Sequence, residues 1–154
     1  MPMMTVRPVA SEADWHAAKS IRTEVFINEQ DCPPEEEWDA YDATSRHLLG
    51  LVDGVPVATA RWRTTTHGDA PTAKLERFAV RRSHRGKGHG TTLVRAALAD
   101  ARRAGFSTFL IHAQAHLEAW YGSFGFRSTG RRFDEVGIPH VEMVLRDGSL
   151  GAEW

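Results

Sequence analysis

Three glycines in five positions, Gly86, Gly88 and Gly90 of Arg85-Gly86-Lys87-Gly88-His89-Gly90, separate two strongly patterned stretches of the chain. Before them, Ala73 to Val80 reads as a strand. After them, Leu93, Val94, Ala97, Leu98 and Ala101 form a helical stripe, with Arg102 and Arg103 in the last turn and Gly105 at the stop position. Such a glycine run disfavours helix and strand alike, so it is a loop. A strand, a glycine-rich loop and a helix together form an anion site by geometry. The first helical amides lack internal partners, the helix dipole adds positive charge, and glycine lets the backbone approach closely. Arg85 and Lys87 add full charges beside those amides. The P-loop spacing is absent, and the dinucleotide spacing fails because Thr91 stands where its last glycine is needed. The pattern that fits is [Q/R]-x-x-G-x-[G/A], as Arg85, Gly88 and Gly90.

The remaining constraints are permissive. A chain of 154 residues suits one domain, expected over residues 1–154. A net charge of −1 argues against a surface built to coat nucleic acid or anionic membrane. No apolar run approaches a membrane span, and MPMMTVRPVA lacks the apolar block of a secretory signal. Cys32 is the lone cysteine, so no internal disulfide framework exists. The expectation is a cytoplasmic globular protein, monomeric or homodimeric.

Along the chain, Met4 to Val9 reads as a strand, and Ser11 with Asp14 has capping-box form. Trp15, Ala18, Ile21 and Val25 predict a helix to about Asn28. Residues 31–45 are an acidic, proline-bearing loop. His47–Val52 and Val55–Thr65 flank Asp53-Gly54, a hairpin signal. Thr108–Ala113 predicts a strand. Leu117, Trp120, Tyr121 and Phe124 predict a short helix ended by Gly125, and Phe126–Phe133 with His140–Leu145 a closing pair of strands. The order is β-α-β-β-β-α-β-α-β-β, an α+β (mixed α/β) chain.

The glycine loop, with KLERFAV before it and AWYGSFGF after it, resembles the acetyl-CoA pyrophosphate loop of the GNAT superfamily of N-acetyltransferases. EVFINEQ, HLLG, ATARWR and GIPHVEM are similar to its ElaA-like or YjcF-like branch. The resemblance implies a central, mostly antiparallel sheet flanked by helices. It implies direct transfer of acetyl from acetyl-CoA to a small-molecule amine, without nucleic acid or membrane as partner. Phe78, Ala79, Val80, Arg85, Gly86, Lys87, Gly88, His89, Gly90 and Gln114 are the cofactor-binding positions it implies. Tyr121 falls where the family protonates the leaving thiolate, although its place on the apolar stripe also suits core packing. Glu76 is the general-base candidate, acting directly or through water; alternation groups it with Phe78 and Val80.

Other chemistries are weaker. His112 and His116 straddle a strand end and a helix start and make no metal-site spacing, so no metal is expected. Cys32 lies in an acidic loop that raises its pKa, which disfavours an acyl-enzyme. Glu35, Glu36, Glu37, Asp39 and Asp42 are either a mouth for a cationic acceptor or solvated surface, and His47 and His140 are lesser acceptor-site candidates. The rival reading is a non-catalytic CoA-binding module, or an anion- or nucleic-acid-binding one using Arg77, Arg81, Arg82, Arg85 and Lys87. Near-zero net charge and the absence of interleaved aromatics weigh against the nucleic-acid version.

Overall fold

Ser11 opens the first helix as its pattern predicts, accepting a hydrogen bond from the Asp14 amide at 3.1 Å. The Asp14 carboxylate reaches back to the Ala10 amide and to Arg7, tying the helix start to the first strand. The computed structural model describes residues 3–148. Its strands are β1 (Met4–Pro8), β2 (Arg46–Val52), β3 (Val55–His67), β4 (Ala70–Val80), β5 (Thr108–Gln114), β6 (Arg127–Glu135) and β7 (Ile138–Arg146). The helices are α1 (Glu12–Arg22), α2 (Pro34–Glu37), α3 (His89–Arg103) and α4 (Glu118–Gly122). This is the α+β order that the patterning predicts.

One sheet holds the strands in the order β1-β2-β3-β4-β5-β7-β6. Every pair is antiparallel except β4 with β5. Both faces are covered. Ala18, Ile21 and Val25 pack on Leu49, Leu51 and Ala79. On the opposite face Val94, Ala97, Leu98 and Ala101 of α3 pack on Leu75, Phe109 and Ile111, with Tyr121 and Phe126 closing the cluster.

Two departures from regular geometry position the site. The helical path continues past Arg22, but Thr23–Glu29 is π-helical, so the predicted single helix changes winding before Asn28. The second departure is a bulge in β4. Ala79 faces Thr59 while Glu76 faces Arg61, so β4 carries one extra residue there, and Arg77 takes φ +59°. This corrects the alternation expected for β4. Phe78 and Val80 join the clusters on the α3 side, whereas Glu76 meets the arginines of the other face.

Past the bulge β4 leaves its neighbour. β4 and β5 pair only at Ala73–Phe109 and Lys74–Leu110, then diverge. A wedge opens inside the sheet, with backbone polar groups along both edges.

Candidate active site

The wedge continues into a cleft of about 500 Å³ that runs between the strand ends and the segment from Phe26 to Glu37, which includes α2. Phe78, Leu117, Tyr121, Gln114 and Arg85 line one end; Lys74, Glu76, Arg77, His112, Glu135 and His140 line the other.

The first end is built from backbone. Gly88 sits at φ +80° as N-cap of α3, with no capping side chain. Among the described residues, the amides of residues 86–91 find no acceptor. A Cβ on Gly86 or Gly88 would meet nothing within 4 Å, so it is the left-handed backbone and open access that call for glycine there. Arg81 donates to the Val57 carbonyl while Ala58 faces Val80; by alternation the polar groups of Val80 point away from β3, toward the wedge. Arg85 Nε takes the Val80 carbonyl at 2.8 Å, and its guanidinium pairs with Glu29 at 2.8 Å. Ala79 is buried against the α1 cluster, so it can offer a ligand only its backbone. His89 is buried at the helix start, and Lys87 is exposed on the loop. Free amides, two cations and a glycine cradle fit a pyrophosphate.

Tyr121 is buried against Phe78, Trp120 and Phe126, and its ring still lines the cleft. Packing and a place in the cleft therefore coexist. Burial pushes its phenol up to about 12, and the hydroxyl makes no hydrogen bond among the described residues. Gln114 closes β5 and donates to Gln30 Oε1 at 3.2 Å, linking it to the π-helical segment.

The second end, lined by Glu37, Lys74, Glu76 and Arg77, is backed by interlocked side chains. Arg61, 1% exposed, contacts Asp39, Asp42 and Glu76 at 2.8, 2.7 and 3.1 Å. Arg22, equally buried, holds Glu37 at 2.6 Å and Asp42 at 2.7 Å. Arg77 faces Glu37 at 3.1 Å and Asp39 at 3.3 Å. Burial opposes the charges of Asp39 and Asp42, but the guanidiniums around them prevail and hold both below the usual carboxylate range. At Glu37 burial wins, and its pKa rises.

Two expectations change here. Glu37, Asp39 and Asp42 are not a mouth for a cation, because arginines of this chain neutralise them. Glu76 reaches the cleft, yet Arg61, Arg63 and Lys74 surround its carboxylate at 3.1, 2.6 and 3.5 Å. Burial raises its pKa, but the three cations outweigh burial and lower it. It is an anchored counter-ion and a poor proton acceptor.

Sequence reasoning passed over Lys74, the Arg22–Arg61 network, and His112 as anything but a metal ligand. His112 Nε2 lies 3.2 Å from Glu142 Oε2, and Glu142 is held by Arg131 at 3.0 Å and Thr129 at 3.0 Å. Cross-strand pairing of His112 with Glu142 follows from the register of β5 and β7, which the sequence leaves open. His140 is buried, bonded to the Ile138 carbonyl at 2.7 Å and stacked on Phe133. His47 bonds the Asp42 carbonyl at 2.8 Å, away from the cleft. Cys32 lies on the rim, and burial pushes its thiol up. No helix among the described residues is long and apolar enough to cross a membrane.

Residues 15–126 match the model of the acetyltransferase (GNAT) family. The N-acetyltransferase YjcF of Bacillus subtilis is 36% identical over 126 residues, covering 80% of this chain and 86% of YjcF. Escherichia coli ElaA superposes with a TM-score of 0.81 at 28% identity, over 94% of this chain and all of ElaA. An acyl-CoA N-acyltransferase from Pseudomonas aeruginosa gives 0.82 at 30% identity, over 94% and 99%. A wedge between β4 and β5, an amide-lined glycine loop at its mouth and these likenesses agree, and the chain belongs to the GNAT family of N-acetyltransferases.

Proposed function

We propose that this protein transfers the acetyl group of acetyl-CoA directly to the amine of a small-molecule acceptor. The observation that carries the reading is the junction of the amide-lined loop with the wedge, which ends beside Tyr121. The likeness to an acyl-CoA N-acyltransferase at 30% identity supports the donor class.

In this reading the amides of residues 86–91, with Arg85 and Lys87, hold the pyrophosphate, and Arg85 exchanges Glu29 for it. The open edges of β4 at Phe78–Val80 and of β5 at Gln114 hold the pantetheine arm as a further strand would. Backbone amides near Val80 donate to the thioester oxygen as negative charge develops there. Tyr121 donates its proton to the departing sulfur. A phenol at about 12 is a weaker acid than a free thiol near ~8.5, which makes that transfer uphill in water. The same burial that raises Tyr121 also raises a thiol that enters beside it, narrowing the gap.

The test is acetyl-CoA consumption over a panel of amines, amino acids, aminoglycosides and polyamines, alongside thermal melts with CoA. CoA should raise the melting temperature, because it binds only the folded state. Stabilisation by ATP or NADPH exceeding that by CoA overturns the reading, as does CoA binding with no amine acetylated.

A further inference from the structure

An amine that arrives as an ammonium must shed protons, and Glu76 is too firmly paired to take one. Across the wedge stands another candidate. The last β4–β5 pair is Lys74–Leu110, so two residues further on β5 brings His112 opposite Glu76. Both side chains line the cleft with Tyr121 and Phe78.

We propose that His112 is the general base of the transfer and that Glu142 is its positioning residue; the proposal rests on the acetyltransferase reading above. The contact of Nε2 with Glu142 places the ring proton on Nε2, since a carboxylate accepts. Nδ1 then carries the lone pair, and it makes no hydrogen bond among the described residues. The Phe133 edge, 4.8 Å between centroids, fixes the ring plane. Arg131 and Thr129 hold Glu142 in turn, so the ring is braced from two strands.

Burial favours the neutral form of the imidazole, and the charged groups around it divide. Burial lowers its pKa first and Lys74 on β4 lowers it further, while Glu142 on β7 and Glu135 on β6 pull it up by less. The ring is therefore unprotonated at neutral pH, which a base must be. Lys74, itself lowered by burial, also discourages an ammonium at the throat of the wedge.

The step balances. The amine nitrogen bonds to the acetyl carbon, Nδ1 of His112 takes the N–H proton, the carbon–sulfur bond breaks, and the sulfur leaves with the proton of Tyr121. His112 then returns its proton to solvent, and Tyr121 regains one from it. Amine and acetyl-CoA become amide and CoA, with no other reactant.

The experiment measures kcat against pH for the panel amine with highest turnover and for a second amine of different pKa. The limb that stays in place between the two amines belongs to the enzyme. It should lie below the ordinary histidine value of ~6.5. His112→Gln should abolish that limb and reduce kcat about 10²-fold, with KM for acetyl-CoA unchanged. Imidazole in the buffer should restore part of the activity of His112→Ala. Glu76→Gln should keep the limb. Glu142→Gln should move it to lower pH, since the carboxylate that raises the ring pKa is gone; a purely structural Glu142 would leave it in place. This variant also serves if His112→Gln does not fold. A His112→Gln enzyme with wild-type kcat and an intact limb overturns the assignment of the base while leaving acetyl transfer standing. Wild-type protein that binds CoA but acetylates no amine overturns both.

Discussion

The two ends of the cleft solve the same problem, holding charge in a partly dry place, by opposite means. At the glycine loop the binding groups are main-chain amides, kept unpartnered by local backbone geometry. At the far end they are side chains, Arg22, Arg61, Arg63, Arg77 and Lys74 against Glu37, Asp39, Asp42 and Glu76, which already satisfy one another. The first end is therefore ready for an outside anion. The second spends its charge on shaping the chain, with His112 left over as a group whose proton count can change. Damage to the first end should show in binding, and damage to the second in stability.

The sharpest way to break that contrast is Arg61→Ala. It removes the buried cation that three carboxylates share. Each keeps another partner, Arg77 for Asp39, Arg22 for Asp42, and Arg63 with Lys74 for Glu76. The loss therefore falls at the lower end of the roughly 3–5 kcal/mol that breaking a buried pair costs. Chemical denaturation should report a loss of that order. Protein that remains folded should bind CoA as before; a matching loss of CoA affinity would join the two ends into one unit. Next in size is Tyr121→Phe, which keeps the packing body against Phe78 and Phe126 and removes the hydroxyl. kcat should fall about 10²-fold with CoA affinity retained; unchanged turnover would make Tyr121 a core residue only.

Gly88→Asp tests the other end. Its Cβ has room, but the residue must hold φ +80° and brings a carboxylate to the anion site. The thermal shift with CoA should vanish, while stability without CoA drops by only about 1 kcal/mol. A preserved shift would move the pyrophosphate away from this loop.

Acid should distinguish the ends as well. Asp39, Asp42 and Glu76 have pKa values lowered by their cations. The stability they contribute is complete above the unfolded carboxylate pKa near ~4 and is lost as pH falls through their lower folded values. Glu37, raised by burial, runs the other way and offsets part of this. Denaturation midpoints should therefore fall steeply below about pH 4, and the slope should flatten in Arg61→Ala. The smallest effect is at Val136, a β-branched residue at φ +44° in the β6–β7 turn beside Gly137 at +77°. Val136→Asn gives that turn the residue its geometry favours and should add up to about 1 kcal/mol, read as a modest rise in melting temperature.

The same contrast explains what the sequence disclosed. Arg85, Gly88 and Gly90 lie within six residues, and their meaning is local: glycine where φ is positive, a helix directly after. The strand and helix periodicities around them are equally local, so the order of elements was legible. The far end was not. Arg22 meets Glu37 and Asp42 only because α1 folds over the following loop, and Arg61 meets Glu76 only through the register of β3 and β4. An acidic run reads as one patch in sequence, but Glu37, Asp39 and Asp42 interlock with Arg22, Arg61 and Arg77 from three other elements. The bulge at Arg77 escaped because a positive φ is advertised by glycine, and after it by asparagine or aspartate, whereas here an arginine adopts it. His112 went unrecognised because its partner is thirty residues away on β7.

The widened winding of Thr23–Glu29 carries a consequence in chain length rather than in chemistry. A π turn holds one residue more than an α turn over nearly the same rise. Removing a single residue from this stretch lets it rewind as ordinary α-helix with the flanking turns still in phase, so the change falls on the residues inside the stretch. Phe26, which lies inside the stretch and lines the cleft, would take a new place on the helix face. The hydrogen bond its carbonyl accepts from the Cys32 amide would change with it, whereas Gln30 just beyond would stay where it is. A one-residue deletion here would thus re-aim this wall of the pocket while leaving the sheet, the loop and every side chain opposite in place. Insertions and deletions along this helix are a route by which one scaffold can change the shape of what it admits.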